Sequence, residues 1–328
     1  MKEEDIRKRD VFNRYLQLVG DDVKTFFDKR HFLEIDCPAC ASKELDFEFE
    51  KSGFNYLSCR KCRTLFVNPR PPLEVMKKFY SESLSTAFWV NEFFKPVAEA
   101  RREKIFRPRA EYLSGLLRNV KNKVVVEIGA GFGIFLEELR KLSPDNRYVA
   151  IEPSGEMADI CLQKGLEVKR NMLEEVSDMD GKIDLLTSFE LLEHLVRPED
   201  FFRKAHALLK PGGQIFLTTL NGMGFDILLL WERSKSVTPP HHLNFFNPYS
   251  IKLLLERFGF EPQGISTPGK IDWDIVEGMI KNEGVKAGRF WDLLANSDSK
   301  ECKEELQSWI SKNNISSHMM VIAKKESC

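Results

Sequence analysis

The sequence lacks any run of about 18 consecutive apolar residues, the length that a membrane-spanning helix requires. Its start, MKEEDIRKRD, also lacks the apolar core of a secretory signal peptide. Both absences argue against a spanning helix and a secretory leader. We therefore expect a cytoplasmic protein without a membrane span.

An excess of one charge is also missing, since 49 lysines and arginines stand against 50 aspartates and glutamates. A net charge of −1 provides no global positive field for holding nucleic acid or an anionic membrane. With 42% hydrophobic and 30% charged residues among 328, the composition is that of a globular protein. The length suggests about two domains.

Cysteine is scarce, and its count of seven is odd, which does not suit a disulfide framework. Four of the seven form two CxxC pairs, Cys37 with Cys40 and Cys59 with Cys62, separated by 18 residues. Each pair offers two thiolates from one tight turn, so together they predict a closed, four-thiolate structural zinc site. The alternative is a set of four buried cysteines that bind no metal.

From residue 123 onward, strand patterns alternate with helical patterns, which is typical of a doubly wound parallel sheet. The short segment Lys210–Gly213 is predicted to form a turn. Strands are predicted at 123–128, 148–151, 183–188, 214–219, 264–267 and 318–324, and helices at 134–142, 156–164, 198–209 and 248–258.

A glycine-rich loop follows the first of these strands, with Gly129, Gly131 and Gly133 two residues apart. Ligands of open α/β sheets bind beyond the carboxyl ends of the strands, where glycines allow close backbone approach. The spacing is GxGxG and not the GxGxxG of dinucleotide sites. Glu127, before the loop, suits a ligand with an ammonium or sulfonium group, and Glu152, after the second strand, suits a ribose. The alternative is a tight turn without a ligand.

These segments together resemble class I S-adenosylmethionine (SAM)-dependent methyltransferases. Val124–Gly133 is similar to their first motif, Ile183–His194 to their fourth-strand motif and Leu209–Gly213 to the turn before their fifth strand. The resemblance implies an α/β fold with a seven-stranded Rossmann-like sheet in the order 3-2-1-4-5-7-6, whose last strand is antiparallel. It also implies SAM as the cofactor.

The same resemblance implies which residues hold SAM. Glu127 and Gly129 face its methionine end, Glu152 binds the ribose, and Phe189 and Glu190 line the cofactor near the reacting centre. The adenine-side motif lacks its usual aspartate, which leaves Asn171 or Met172 at that border. The full expected set is Glu127, Gly129, Ala130, Gly131, Gly133, Glu152, Pro153, Asn171, Met172, Phe189 and Glu190.

The order of a four-cysteine segment, a proline-rich stretch and a methyltransferase domain resembles certain bacterial methyltransferases with an N-terminal zinc-binding segment. Several of those act in the biosynthesis of deoxysugars, surface polysaccharides or other secondary metabolites. A small-molecule acceptor is therefore expected, with a nucleotide sugar or a glycan as candidates. We divide the chain into a helical arm (1–34), a zinc-ribbon-like module (35–70), a helical linker or lid (71–118) and a methyltransferase domain (119–328) with an insertion at 268–317.

Histidines are the candidate general bases, because an oxygen or carbon acceptor must lose a proton and the histidine pKa lies near neutrality. His241 and His242 follow the fifth strand, where this family places its substrate, and His194 follows the fourth. We expect His242, His241 or His194 to assist methylation of oxygen or carbon. The alternatives are structural: a loop anchor for His241 and His242, and a cap or packing role for His194.

Two other functions remain open from the sequence. Arg60, Lys61, Arg63 and Arg70 make the cysteine segment locally basic, which would suit an RNA methyltransferase that recognises RNA through its zinc module. The balanced net charge and the missing base-amino methyltransferase motif argue against nucleic acid as a partner. The other function is a non-catalytic SAM-binding protein. The sequence does not predict the oligomeric state.

Overall fold

A computed structural model describes residues 2–117 and 121–326. Its strands are β1 Leu45–Lys51, β2 Phe54–Cys59, β3 Leu65–Val67, β4 Val124–Ile128, β5 Arg147–Ile151, β6 Glu167–Lys169, β7 Ile183–Phe189, β8 Leu209–Leu220, β9 Asn244–Phe245, β10 Phe260–Ser266 and β11 His318–Lys325. Its α-helices are α1 Arg9–Phe26, α2 Leu73–Glu82, α3 Leu84–Phe88, α4 Ala98–Arg101, α5 Arg107–Leu116, α6 Ile134–Leu142, α7 Gly155–Gln163, α8 Pro198–Leu208, α9 Phe225–Leu230, α10 Pro248–Arg257, α11 Asp272–Glu283, α12 Arg289–Asn296 and α13 Lys300–Lys312.

Seven strands form one sheet in the order β6-β5-β4-β7-β8-β11-β10. The strands from β6 to β8 are parallel, and β11 is antiparallel to both β8 and β10. Numbered by chain order within this sheet, the strands read 3-2-1-4-5-7-6, so the predicted fold is confirmed. Val124–Ile128 is rich in β-branched residues because a parallel sheet of this kind is covered by helices on both faces.

Successive residues of the central strands point into two different apolar clusters, one on each face of the sheet. Val126 packs into the first cluster with residues of α8 and α10, and Val125 packs into the second with residues of α5 and α6. The large buried side chains of these clusters each contribute about 1.5–3 kcal/mol by leaving water. The sheet is therefore a rigid base for the loops at its carboxyl edge.

The predicted turn at Lys210–Gly213 is wrong, because these residues belong to the long strand β8. Ile183 pairs with Leu209, and the next pair joins Leu185 to Gln214, so the segment bulges out between two paired positions. The sequence Lys-Pro-Gly-Gly does not distinguish such a bulge within a strand from a separate turn.

A second, four-stranded sheet has the order β1-β2-β3-β9. Its first three strands lie in the cysteine-rich segment, whereas β9 belongs to the loop that follows β8. Leu65 pairs with Phe245 and Phe66 with Asn244. The cysteine-rich segment and the loop after β8 thus share one sheet. The division of the chain into domains stays a prediction.

Two groups of helices form apolar clusters of their own outside the main sheet, one before β4 and one between β10 and β11. Between α3 and α5 the helical stretch includes two π-helical segments, Trp89–Phe94 and Arg102–Phe106. Helices α11 to α13 fill the predicted insertion and pack with Ile6 and Leu230 around Trp273. Within the described ranges, no helix combines the length and apolarity needed to cross a membrane.

Candidate active site

The glycine loop joins β4 to α6 at the carboxyl edge of the main sheet. Gly131 and Gly133 both have positive φ angles, 54° and 64°. A Cβ atom on Gly133 would lie 2.7 Å from Leu166 Cδ1 and 2.9 Å from Cys161 Sγ, so packing forbids a side chain there. A Cβ atom on Gly131 would meet no atom within 4 Å. The loop is therefore packed tightly at Gly133 and has open space beside Gly131.

Glu152 follows β5 and connects two backbone loops. Its Oε2 accepts the Gly131 N–H at 2.8 Å, and its Oε1 accepts the Ser154 N–H at 2.9 Å. Burial raises the pKa of this carboxyl, while the two N–H donors oppose that rise. The sheet order thus brings Glu152 beside the glycine loop.

Glu127 lies at the end of β4 and is only 3% exposed. Its Oε2 is buried and has no hydrogen-bond partner among the described residues. Burial, with the nearby charge of Glu152, raises its pKa well above the ordinary value. A buried carboxylate oxygen without a donor costs free energy, so this position suits a ligand that brings a cationic donor. The ammonium of SAM is such a group.

Glu190 follows β7 in a left-handed conformation with φ +49°, uncommon for a residue with a side chain. Its Oε1 accepts from Arg109 Nη2 at 2.9 Å and from Thr218 Oγ1 at 2.7 Å. Its Oε2 lies 3.3 Å from His318 Nδ1. Burial alone would raise the pKa of Glu190, but His318 and Arg109 hold it well below its ordinary value.

Arg109, Thr218 and His318 were not predicted as site residues. No local motif marks them, since α5, β8 and β11 bring them together only through the topology of the sheet. The guanidinium of Arg109 also lies 4.9 Å from the ring centroid of Phe189. That ring packs edge-on against Phe135, with 4.6 Å between centroids.

The remaining expected SAM residues lie further along the same edge of the sheet. Ala130 is buried within the glycine loop, and Pro153 is exposed after β5. Asn171 and Met172 follow β6, where both contact Glu175 Oε2, at 3.3 Å from Asn171 Nδ2 and 3.1 Å from the Met172 nitrogen. These two residues follow the edge strand β6, whereas Glu190 follows the central strand β7.

Two of the three candidate histidines lie side by side, with 4.9 Å between the ring centroids of His194 and His242. His194 Nδ1 is 2.9 Å from the His241 carbonyl oxygen, and His242 Nδ1 is 2.5 Å from the Ser236 carbonyl oxygen. A carbonyl oxygen can only accept, so each ring carries its proton on Nδ1. Both rings therefore leave the Nε2 lone pair free.

Burial lowers the pKa of His194 to about 4 and that of His242 to about 3. Both rings are therefore neutral at neutral pH, and the same burial makes them weaker bases than an exposed histidine. Beside them, burial and the charge of Glu190 raise the pKa of Glu193 to about 8. The ligand atoms of Glu193, His194 and His242 all lie within 4.8 Å of one another, a spacing at which they could hold a cation together.

His241 is separated from this pair by its surroundings. Its ring lies among those of Tyr15, Phe79 and Tyr80, at centroid distances of 5.5, 4.9 and 5.6 Å. Its Nε2 is buried without a hydrogen-bond partner among the described residues. Its backbone carbonyl, in contrast, fixes the proton of His194. The structure thus brings His194 and His242 together and encloses the His241 ring in aromatic side chains.

A sequence profile described as a methyltransferase domain matches residues 97–263, about half of the chain. The chain belongs to this methyltransferase family. It is a class I SAM-dependent methyltransferase, with the sheet order and glycine loop described above, and SAM is its cofactor.

Two curated relatives are named ubiquinone biosynthesis O-methyltransferase. The protein of Bordetella avium is 26% identical over 200 residues, which cover 56% of this methyltransferase and 79% of the relative. That of Escherichia fergusonii is 28% identical over 169 residues, covering 50% and 68%. Among solved structures, geranyl diphosphate C-methyltransferase from Streptomyces coelicolor is similar to this chain, with 14% identity and a TM-score of 0.48. The match covers 70% of this chain and 78% of the Streptomyces coelicolor protein.

The four CxxC cysteines of this methyltransferase lie together. Cys37 Sγ is 3.4 Å from Cys62 Sγ, Cys40 Sγ is 3.5 Å from Cys59 Sγ, and the four sulfurs lie within 4.8 Å of one another. Each CxxC turn is closed by the residue after it, which has a positive φ and donates its N–H to the first cysteine's carbonyl. Two such turns facing each other form the arrangement that a tetrahedral zinc ion requires.

Three of the four basic residues near these cysteines make polar contacts within the protein. Arg70 is 1% exposed and donates to the Val196 carbonyl oxygen and to Asn244 Oδ1. Arg60 Nε lies 2.8 Å from Asp46 Oδ1, and Lys61 is paired with a neighbouring glutamate. Arg70 is therefore not available to RNA, whereas Arg60, Lys61 and Arg63 remain exposed.

The low histidine pKa values predict folding that is sensitive to acid. In the unfolded chain His194 and His242 bind protons near pH 6.5, but the folded state resists protonation down to about pH 4 and 3. The contribution of these two histidines to the free energy of unfolding is therefore complete above about pH 6.5 and is lost below it, by up to about 1.4 kcal/mol per pH unit for each histidine. Buried Glu193, whose pKa is raised to about 8, contributes in the opposite direction, so a variant without the histidines is needed to isolate their part. Urea denaturation between about pH 8 and pH 5 measures this slope. A double variant with glutamine at both positions should show a shallower slope, and an unchanged slope would contradict the assignment.

Proposed function

We propose that this enzyme transfers the methyl group of SAM to a hydroxyl oxygen of a small-molecule acceptor, with a histidine of the His194–His242 pair accepting the proton. One observation carries the proposal. Glu190 and His194 belong to the loop at the carboxyl end of β7, next to the glycine loop, and His242 packs against His194. Glu190 is near enough for its charge to act on both histidines.

The relatives support oxygen as the methylated atom, because they are named O-methyltransferases. They give no support to a sugar-linked or polysaccharide acceptor. An acceptor hydroxyl must lose its proton during transfer, which gives a neutral imidazole with a free Nε2 a chemical role. Carbon methylation is therefore the less supported alternative.

SAM, when bound, supplies a methyl group activated by its sulfonium. In the proposed site, the free Oε2 of Glu127 accepts from the ammonium of the methionine part, and Arg109 binds its carboxylate. Glu152 accepts the ribose hydroxyls, while Ala130 to Gly133 provide the backbone against which the cofactor lies. Pro153, Asn171 and Met172 border the adenine.

The roles of the protein groups near the reacting atoms follow from their surroundings. The carbonyl oxygens of His241 and Ser236 fix the tautomers of His194 and His242, which keeps Nε2 available. We assign the proton to His242, with His194 as the alternative. The aromatic side chains around His241 keep water away from this end of the site.

Glu152→Ala is expected to lower the affinity for S-adenosylhomocysteine by about tenfold or more, because a charge-assisted pair of hydrogen bonds is lost. Isothermal titration of the purified protein measures this affinity. Glu174→Ala removes an exposed glutamate from the neighbouring loop and serves as the control. If folded wild-type protein does not bind S-adenosylhomocysteine, or if both variants bind like wild type, the proposed cofactor site is wrong.

We also propose that Cys37, Cys40, Cys59 and Cys62 bind one structural zinc ion. The four sulfurs leave no open coordination position on a tetrahedral ion, so the metal would brace the fold and take no part in methyl transfer. The zinc would tie the two CxxC turns to the small sheet, whose other buried side chains pack with α2 and with the loop after β8.

A further inference from the structure

Arg101, at the end of α4, is an arginine for which the described residues provide no anion. Its Nε is buried and has no hydrogen-bond partner, and no carboxylate of the described residues lies within 4 Å of its guanidinium. Burial, with the positive charges of Arg7 and Arg109, lowers its pKa to about 10, so it stays charged at neutral pH. The side chain is half-buried overall, so the cost of an unpaired donor falls on the enclosed Nε.

Other inward-facing arginines of this protein are matched. Arg70 donates to three oxygen atoms, Arg102 contacts three carboxylates, and Arg109 is paired with Glu190. Proteins pair such guanidinium groups because their five donors cannot otherwise be satisfied away from water. Arg101 therefore keeps donors available for an anion that comes from outside the chain.

The position of Arg101 is beside the cofactor loop. Its guanidinium carbon lies 4.8 Å from the ring centroid of Phe94, and that ring packs 4.9 Å from the ring of Phe132, within the glycine loop. Its charge interacts with that of Glu190, which stands at the end of β7. Arg101 thus faces the space between the glycine loop and the loop after β7.

A second arginine reaches the same space from the start of the chain. Arg7 has Glu3 as its nearest carboxylate, at 3.3 Å, and that glutamate belongs to the same short segment. Arg7 lines a cleft together with Ser236, whose carbonyl oxygen contacts His242, so this guanidinium lies on the side of the histidine pair.

We propose that Arg101, assisted by Arg7, binds an anionic group of the acceptor, a carboxylate or a phosphate, and so orients the acceptor hydroxyl toward the histidine pair. This inference rests on the proposed function. A guanidinium binds either anion through two parallel hydrogen bonds, which fixes direction as well as distance. An acceptor held at its anionic end by Arg101 would present its other end to SAM.

The test measures binding to full-length protein saturated with S-adenosylhomocysteine. The probes are 3,4-dihydroxybenzoate, its uncharged counterpart catechol, and inorganic pyrophosphate, each titrated by calorimetry. The variants are Arg101→Gln, Arg101→Lys and, as the control, Arg14→Gln at an exposed position of α1. Thermal unfolding and the affinity for S-adenosylhomocysteine report whether each variant keeps its fold.

We expect at least one anionic probe to bind the wild type, and Arg101→Gln to weaken that binding about ten- to a hundredfold. Arg101→Lys should lie between, since it keeps the charge without the planar pair of donors. Catechol should bind weakly, and to the same extent, in the wild type and in the Arg101 variants. Arg14→Gln should bind each probe as the wild type does. Binding of dihydroxybenzoate indicates a carboxylate acceptor, and binding of pyrophosphate indicates a phosphate.

Three results overturn the inference. In the first, neither anion binds the wild type, and in the second, Arg101→Gln binds the anion as wild type does. In the third, Arg101→Gln weakens the binding of S-adenosylhomocysteine by the same factor as the binding of the anion. The last result would assign Arg101 to the cofactor. A folded wild type that does not bind S-adenosylhomocysteine would instead remove the proposed function, and this inference with it.

Discussion

Cys59→Ser is expected to release zinc and to unfold the four-stranded sheet. Three thiolates and a hydroxyl bind zinc far more weakly than four thiolates, and zinc contributes about 10–16 kcal/mol to the folding of small zinc modules. Here part of that loss is offset because β2 and β3 also pack with Phe79 and Phe245. We therefore expect local unfolding of residues 35–70 and a lower melting temperature, with the main sheet retained.

The loss should extend to methyl transfer, because this small sheet holds the histidine loop. Tyr56 OH donates to the His242 carbonyl oxygen at 2.8 Å, and the Val67 N–H donates to the Leu243 carbonyl oxygen at 2.9 Å. The pairing of β3 with β9 fixes the next two residues. Without these contacts His242 loses its position, whereas the glycine loop keeps its own core. Activity should fall while binding of S-adenosylhomocysteine persists.

Metal analysis by mass spectrometry, together with thermal unfolding and calorimetry, measures these effects. Cys302→Ser, which changes an exposed cysteine of α13, is the matched control and should retain one zinc per chain and full stability. A wild type that is folded without bound metal, or a Cys59→Ser variant that retains zinc as the control does, would contradict the zinc assignment.

The main sheet could be predicted from the sequence because its signals are local. The β-branched run before the glycines, the glycine spacing and the regular alternation of strand and helix are all contained in short segments. Within this frame the positions of Glu127 and Glu152 follow, since both end neighbouring parallel strands. That the expected SAM residues at this edge lie close together can therefore be predicted without any knowledge of tertiary contacts.

The contacts between distant segments could not be predicted in this way. Strand β9 has two residues and no strand pattern of its own, so it forms only because β3 offers an unpaired edge. The pairing of Glu190 with Arg109 joins positions 81 residues apart, and the isolation of Arg101 is visible only once every neighbouring carboxylate is placed. Such features depend on tertiary packing, which composition and spacing do not encode.

His242→Gln is expected to lower kcat by about 10²–10⁴-fold while leaving the affinity for S-adenosylhomocysteine unchanged. Glutamine can keep a hydrogen bond to the Ser236 carbonyl oxygen, so the loop should stay in place, but it cannot accept the acceptor proton. His194→Gln should have a smaller effect if His194 only packs against His242. His31→Gln, at an exposed position, is the control.

The dependence of kcat/KM on pH separates a base from a structural histidine. The pKa of His242 is about 3 in the folded protein, so the neutral form predominates throughout the usual assay range. Activity should therefore show no loss near pH 6.5, where an exposed histidine base would become protonated, and any acid limb should follow the loss of folding. A wild-type profile that falls by half near pH 6.5, or a His242→Gln variant with wild-type kcat and a reduced melting temperature, would show that His242 supports the loop and that another group takes the proton.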